Sequence, residues 1–217
     1  MVATASTGYW PEADSAESMM ASAPSNTAIE TSETSARVGT GAVRRRAQLA
    51  AARPDLTFGE LRGNIGTRLD KAVDFDAVVV AAVALERLGL DDRIAERLDP
   101  EVMLPQVGQG AIAVECREDD DATRALCAAI TDGPAHLAVT AERAFLAELG
   151  GGCNLPCGAL ARPTGDGVEI EVLLASLDGH TVLRTRGAGR DPEAVGRAAA
   201  LTLLDDHGGR RLLEEMQ

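Results

Sequence analysis

The sequence predicts an α/β protein: a parallel-sheet domain followed by a small α+β domain with an antiparallel sheet. Three observations carry this. Strand and helix signals alternate between Arg37 and Val83. The run Asp76-Ala-Val-Val-Val-Ala-Ala-Val83 is continuously apolar, as in a parallel strand buried on both faces. Beyond residue 167, Val168, Ile170, Val172 and Leu174 alternate with Glu169, Glu171 and Leu173, the period of a half-exposed antiparallel strand.

The elements follow in order. Residues 1–36 are rich in Ser, Thr, Ala and Glu and show no sustained period, so they are expected to be disordered or unassigned. Val38 leads into the turn Gly39-Thr40-Gly41, and a helix is predicted over 42–53, stopped by Pro54. A short strand over 56–61, a helix over 65–73 and the apolar strand from Asp76 complete a parallel sheet with right-handed crossovers. Residues 111–117 read as a further strand. Helices are expected at 121–131 and 139–149, the second ending at Gly150-Gly151-Gly152. Asp178-Gly179 supplies a hairpin turn and 180–186 the return strand. Asp191-Pro192-Glu193 combines an N-cap, a proline in the first turn and an acid, and starts a helix that runs to about Asp206.

Composition narrows the function. Apolar residues make up 45% of the 217 and aromatics 2%, so the core must be aliphatic. The formal net charge of -13 argues against nucleic acid as a partner. No apolar stretch reaches membrane-spanning length and no basic residue precedes Arg37, which leads to the expectation of a reduced, cytoplasmic protein.

Between residues 37 and 71 eight basic residues face three acids, a local excess opposite in sign to the whole chain. Arg44, Arg45, Arg62 and Arg68 sit at or after turns that follow strands, where open α/β sheets bind ligands. Arginine's planar fork suits carboxylate or phosphate; the alternative is a solvated basic face. Gly39-Thr40-Gly41 and Gly108-Gln109-Gly110 each lack the third glycine of a dinucleotide loop and read as tight turns whose N–H groups can approach an anion. Cys153 and Cys157 are spaced C-x-x-x-C with no second pair, so no metal site is expected. Cys153 follows three glycines at a helix end, in a loop with little steric cover.

Five segments in order carry a resemblance: Val38-Gly-Thr-Gly-Ala-Val-Arg-Arg45, Leu61-Arg-Gly-Asn-Ile-Gly-Thr-Arg-Leu69, Leu104-Pro-Gln-Val-Gly-Gln-Gly-Ala111, Val139-Thr-Ala-Glu-Arg-Ala-Phe145 and Gly151-Gly-Cys-Asn-Leu-Pro-Cys-Gly158. Over residues 37 to 217 the chain resembles the hydroxymethylbilane synthase (porphobilinogen deaminase) family of tetrapyrrole (porphyrin and heme) biosynthesis. The resemblance implies a transferase that condenses four porphobilinogens stepwise, releasing ammonia, on a covalent dipyrromethane primer. It also implies a periplasmic-binding-protein-like domain two over 37–105, a return strand to domain one over 106–121, and a carboxy-terminal α+β domain over 122–217. Cys153 matches the cysteine that holds dipyrromethane by a thioether. Thr40, Arg44, Arg45, Arg62, Arg68, Arg87 and Gln109 match cofactor- and substrate-binding residues, and each pyrrole's acetate and propionate accounts for the arginines. The implied partners are porphobilinogen and the growing linear polypyrrole, acting on a monomer without nucleic acid or membrane.

The departures are Ala42 where the family has serine, Ala84 where glycine is common, and a second thiol at Cys157. The family's catalytic aspartate lies in a His-Ser-Leu-Lys-Asp-like motif of domain one, and nothing in 1–36 resembles it. No catalytic residue is therefore assigned, and this chain alone is expected to have impaired activity. Without domain one, the 111–117 strand is expected to be an exposed edge. The other readings are a non-catalytic tetrapyrrole- or dipyrromethane-binding fragment, a small-carboxylate binding module, and a truncated or frameshifted gene product.

Overall fold

The structure, a computed structural model, describes residues 2–4, 18–22, 35–152 and 154–216. The first sheet has five strands in the order β4-β3-β5-β2-β6. They are β2 (Ser18–Ser22), β3 (Arg37–Gly39), β4 (Thr57–Gly59), β5 (Ala77–Ala81) and β6 (Glu96–Leu98). β4, β3 and β5 are parallel, as expected, whereas β2 runs antiparallel to both β5 and β6. Helices α1 (Val43–Ala52), α2 (Ile65–Asp70) and α3 (Ala82–Glu86) accompany them.

β5 shows why its sequence is apolar throughout. Val78 and Val80 pack with Leu61, Leu69, Ala72 and Leu85 on one face. Ala77 and Val79 pack with Val38, Leu49, Leu56, Leu98 and Met103 on the other. Burying each valine contributes on the order of 2 kcal/mol. The apolar run does not all stay extended: the chain turns helical at Ala82, so its last residues belong to α3.

Within residues 1–36, the described stretches Val2–Thr4 and Ser18–Ser22 are strands, where no regular structure was expected. β2 lies between β5 and β6, and β1 (Val2–Thr4) pairs antiparallel with β7 (Ala113–Glu115). The physical reason is the open hydrogen-bonding edge that each of β5 and β7 would otherwise leave. The 111–117 strand, expected to lack partners, is shortened to β7 and covered on one edge by β1.

The carboxy-terminal part contains α4 (Asp121–Ala129), α5 (Gly133–Glu148), β8 (Cys157–Thr164), β9 (Gly167–Ala175), β10 (Val182–Gly189), α6 (Pro192–Leu201), a π-turn over Thr202–Asp206 and α7 (Gly209–Glu215). β10-β9-β8 form an antiparallel sheet. The alternation in β9 is as predicted through Val172: Val168, Ile170, Val172 and Leu174 pack beneath Ala141 and Phe145 of α5 and Val195 and Ala199 of α6. Leu173 and Ala175 are buried as well, because the opposite face meets Ala47 of α1 and Leu104. The sheet is thus covered by α5 and α6 on one side and by α1 on part of the other.

α5 starts six residues earlier than the 139–149 reading. Asp132 caps it by accepting the Ala135 N–H at 2.8 Å, and Pro134 occupies its first turn. Asp191 caps α6 in the predicted way, accepting from Glu193 and Ala194 N–H. Among the described residues no helix is long and apolar enough to cross a membrane.

Candidate functional site

α1 presents two consecutive arginines inward, and each meets a different part of the fold. Arg44 is 2% exposed. Its Nη1 donates to the Leu104 carbonyl, its Nε to Gln106 Oε1 at 3.4 Å and its Nη2 to Gln109 Oε1 at 3.4 Å. One turn later, Gln48 donates to the Leu104 carbonyl at 3.1 Å and accepts the Leu104 N–H at 2.8 Å. The fork of Arg44 and the amide of Gln48 therefore clamp segment 104–109 onto α1. Burial, followed by the like charge of Arg45, depresses the Arg44 guanidinium, and Cys157 acts in the opposite sense.

Arg45 points toward the first sheet, where Nη1 donates to the Val79 carbonyl at 3.0 Å. Its Nε is buried and has no hydrogen-bond partner among the described residues. Burial, then the charge of Arg68, depresses its guanidinium to about 10. Arg68 is held by its Nε, which donates to the Gly63 carbonyl at 2.8 Å. Asn64 sets that turn by capping α2 through the Thr67 N–H at 2.9 Å. Among the described residues neither Arg45 nor Arg68 has a carboxylate partner, so two neighbouring cations stand without a counter-charge.

The other expected residues are placed less centrally. Thr40 is buried, and its hydroxyl accepts the Ala42 N–H at 3.3 Å, closing the turn into α1. Ala42 itself provides no side-chain cap for that helix. Gly41 cannot carry a β-carbon, which would stand 2.7 Å from the Leu61 carbonyl oxygen, so this turn and the one bearing Arg62 touch. Arg62 is exposed and paired with Glu60 at 2.6 Å. Arg87 is the exposed C-cap of α3. Gln109 Oε1 also accepts the Gln106 N–H at 3.3 Å. Cys153 lies outside the described residues. Its neighbours in sequence, Gly152 and Leu155, are joined by a hydrogen bond from the Leu155 N–H at 3.2 Å. Four residues on, Cys157 is fully buried and close enough to Arg44 to act on its charge.

The structure thus brings Arg44 together with Gln109 and Arg45 together with Arg68; Arg62 and Arg87 stand apart at the surface. The turn Gly108-Gln109-Gly110 is tight, with φ of +69° and +88° at its glycines. Its Gly108 N–H does approach an anionic group, but that group is the chain's own Glu142, at 2.6 Å. The other Glu142 oxygen accepts the Ala161 N–H of β8 at 2.9 Å. Burial pushes this carboxyl up to about 7, against the pull of the Ala161 and Gly108 donors.

Gln48, Gln106 and Glu142 were not singled out from the sequence. For Glu142 a signal existed: it lies on the same stripe of α5 as Ala138, Ala141 and Phe145, all buried, where a carboxyl needs dedicated partners. A depression of about 300 Å³ adjoins Thr40, Gly41, Arg46 and Glu60. A larger one, about 510 Å³, lies over α5 and α6 beside His136, Arg143 and Arg197 and contains none of the expected residues.

Comparison with known proteins agrees with the order of the motifs. Residues 3–125 match the family model described as "Porphobilinogen deaminase, dipyromethane cofactor binding domain". Residues 136–205 match "Porphobilinogen deaminase, C-terminal domain". The chain is 50% identical over 181 residues to the porphobilinogen deaminase of Roseiflexus sp. (strain RS-1), covering 82% of this chain and 59% of that protein. It is 46% identical over 183 residues to that of Geobacillus kaustophilus (strain HTA426), covering 83% of this chain and 59% of that protein. The chain therefore spans 59% of the length of these curated relatives. With the first family model covering more than half of its residues, and that match including β2 and all of β1 but Val2, the chain belongs to the porphobilinogen deaminase family.

Proposed function

We propose that this chain holds a dipyrromethane covalently at Cys153 and binds the acidic side chains of pyrroles with Arg45, Arg68, Arg62 and Arg87, as part of a hydroxymethylbilane synthase. The single observation that carries the reading is the Arg45–Arg68 pair. A buried guanidinium N–H beside a second cation, with no acceptor and no carboxylate among the described residues, fits a ligand that brings its own carboxylates. Each pyrrole of dipyrromethane brings an acetate and a propionate. When bound, the dipyrromethane supplies the primer on which porphobilinogens are joined with release of ammonia.

The chain's own residues divide the remaining work. Arg44 and Gln48 hold the 104–109 segment, and Arg44 fixes the amide of Gln109, so these are positioning residues. Thr40 closes the turn that starts α1, and Arg62 is available from an exposed pair with Glu60. A thiolate at Cys153 is the nucleophile suited to a thioether link. The division into 37–105, 106–121 and 122–217, a cytoplasmic location, a monomeric state and porphobilinogen as the substrate belong to the same reading.

The test is intact-mass analysis after exposure of the purified chain to preuroporphyrinogen. A covalent adduct that is lost in Cys153→Ala and weakened in Arg45→Gln is the expected result. No adduct, or one that survives in Cys153→Ala, overturns the assignment.

A second reading, binding without turnover, is favoured by one observation: no His-Ser-Leu-Lys-Asp-like motif occurs within these 217 residues. A missing carboxylate removes the acid–base and electrostatic help such a condensation needs. Incubation with porphobilinogen, oxidation and porphyrin absorbance separate the two. Turnover by this chain alone at the rate of its longer relatives excludes the second reading.

A further inference from the structure

A third depression, of about 320 Å³, opens between α1, β4 and the loop that joins β9 to β10. None of the residues assigned to dipyrromethane or porphobilinogen lines it. Its apolar wall is Ala50, Ala51, Pro54, Leu56 and Phe58, with Leu56 buried and Phe58 half-buried. Its charged groups are Arg46, Asp178 and His180. Ligand cavities run from roughly 300 to 1,000 Å³, so this one suits a single ring and not a linear polypyrrole.

The hairpin side of the hollow is built in advance. Gly179 is buried, has φ +77° and packs against the Ala47 carbonyl of α1 with no room for a β-carbon. The Ser176 hydroxyl donates to Asp178 Oδ1 at 2.5 Å, and the His180 N–H donates to the same oxygen at 3.0 Å. His180 Nδ1 pairs with Asp178 Oδ2 at 2.9 Å, and the Thr181 N–H donates to Ser176 Oγ at 3.0 Å. Asp178 is thus committed to its own loop. Arg46 is not: its guanidinium carbon lies over the Phe58 ring, 5.8 Å from the centroid, and among the described residues it has no carboxylate or carbonyl partner. A planar cation held over an aromatic ring keeps its in-plane N–H donors open to a carboxylate.

We propose that this hollow binds a small aromatic monocarboxylate, whose carboxylate pairs with Arg46 while its ring lies against Pro54, Leu56 and the two alanines. The sign of the ligand follows from the one charge in the lining that is left without a partner, which is positive. The apolar wall accounts for the ring. Asp178 shares the hollow and repels an anion, so neutralising it strengthens binding. The ligand touches α1 and the hairpin together, and binding therefore stabilises the contact between them. The site is independent of the Cys153 assignment.

The test titrates the folded chain with benzoate and follows amide NMR shifts and melting temperature. Saturable shifts at Ala50, Ala51, Phe58 and Gly179, with a rise in melting temperature, are expected. Benzyl alcohol, which keeps the ring and lacks the charge, should bind about fivefold more weakly, and Arg46→Gln should weaken benzoate by a similar factor. Arg46 is exposed, so that variant should melt as the parent does without ligand. Asp178→Asn, which retains an acceptor for Ser176 and the His180 N–H, should tighten binding. No saturable shift, shifts confined to other residues, or equal affinity for the acid and the alcohol overturns the proposal. Unchanged affinity in Arg46→Gln does the same. Weaker binding in Asp178→Asn, together with a preference for L-phenylalanine over benzoate, would make the ligand a zwitterion and overturns it as well.

Discussion

Glu142 of α5 accepts the Gly108 N–H at 2.6 Å, so the carboxy-terminal domain holds the turn that carries Gln109. Its other oxygen is spent on Ala161 of β8. One buried carboxyl thereby connects a helix, a sheet and the segment that Arg44 clamps from the opposite side.

This arrangement has a pH signature. The folded-state pKa of Glu142 is raised, from about 4.5 to about 7, so the folded chain binds a proton more tightly than the unfolded chain. Its contribution is present at low pH and is lost as pH rises through that window, by up to about 3 kcal/mol. Glu142→Gln should abolish that slope. It should also cost about 1–3 kcal/mol at low pH, because its amide offers one N–H donor another donor. Denaturant melts at several pH values check both; an unchanged slope between pH 5 and 7 contradicts the assignment.

Arg44→Lys should be destabilising by about 2–4 kcal/mol despite keeping the charge. A lysine cannot reach Leu104, Gln106 and Gln109 together; the buried Leu104 carbonyl keeps only the Gln48 donor, and the Gln106 and Gln109 side-chain oxygens lose their Arg44 bonds. A shift in the denaturation midpoint is the measurement. A near-neutral result would mean that Gln48 alone secures the segment.

Arg62→Gln should leave stability within about 0.5 kcal/mol, since the pair it forms with Glu60 is exposed on both sides. If Arg62 binds pyrrole carboxylates, the same substitution should weaken retention of a polypyrrole, read by equilibrium dialysis. Melting and binding should therefore separate in this variant and move together in Arg44→Lys.

Gly179→Ala should cost more than the ~1–2 kcal/mol of a left-handed β-carbon. The residue has φ +77°, and an added Cβ would stand 2.4 Å from the Ala47 carbonyl oxygen and 2.8 Å from Ala50 Cβ. The hairpin would have to lift off α1 and open the contact between Ala47 and Leu173. Loss of thermal stability checks it, and an unaltered melting temperature would show that the hairpin moves freely.

These contacts mark where the sequence was informative. β5 was legible because both of its faces are buried, and β9 because its exposed face carries Glu169 and Glu171. Asp191-Pro192 announces α6; the equivalent Asp132-Gly133-Pro134 starts α5 six residues before the expected 139–149. α7 is hidden in the sequence because it starts at Gly208-Gly209, a pair that reads as a helix end, although Leu212 anchors it to the core. Within the site, charge, position after a strand and the family resemblance all point to Arg44 and Arg45 alike as ligand-binding. Charge does not tell which way a helix face points, and only the fold separates Arg44, with its donors committed to Leu104 and two glutamines, from Arg45, with a buried donor left over. Gln48 and Gln106 carry no charge pattern and act across more than fifty residues of chain, so no local window contains the signal.

β6 has one sheet neighbour, β2. Residues near position 20 therefore stand between two strands made some sixty and eighty positions later. This is a matter of assembly order: β3, β4 and β5 can pair among themselves, but β6 has nothing to join until β2 has arrived. The closing of that sheet waits on a non-local pairing, which places it among the slow steps of folding. In native-state hydrogen exchange the β6 amides should open together with those of β2, ahead of β5.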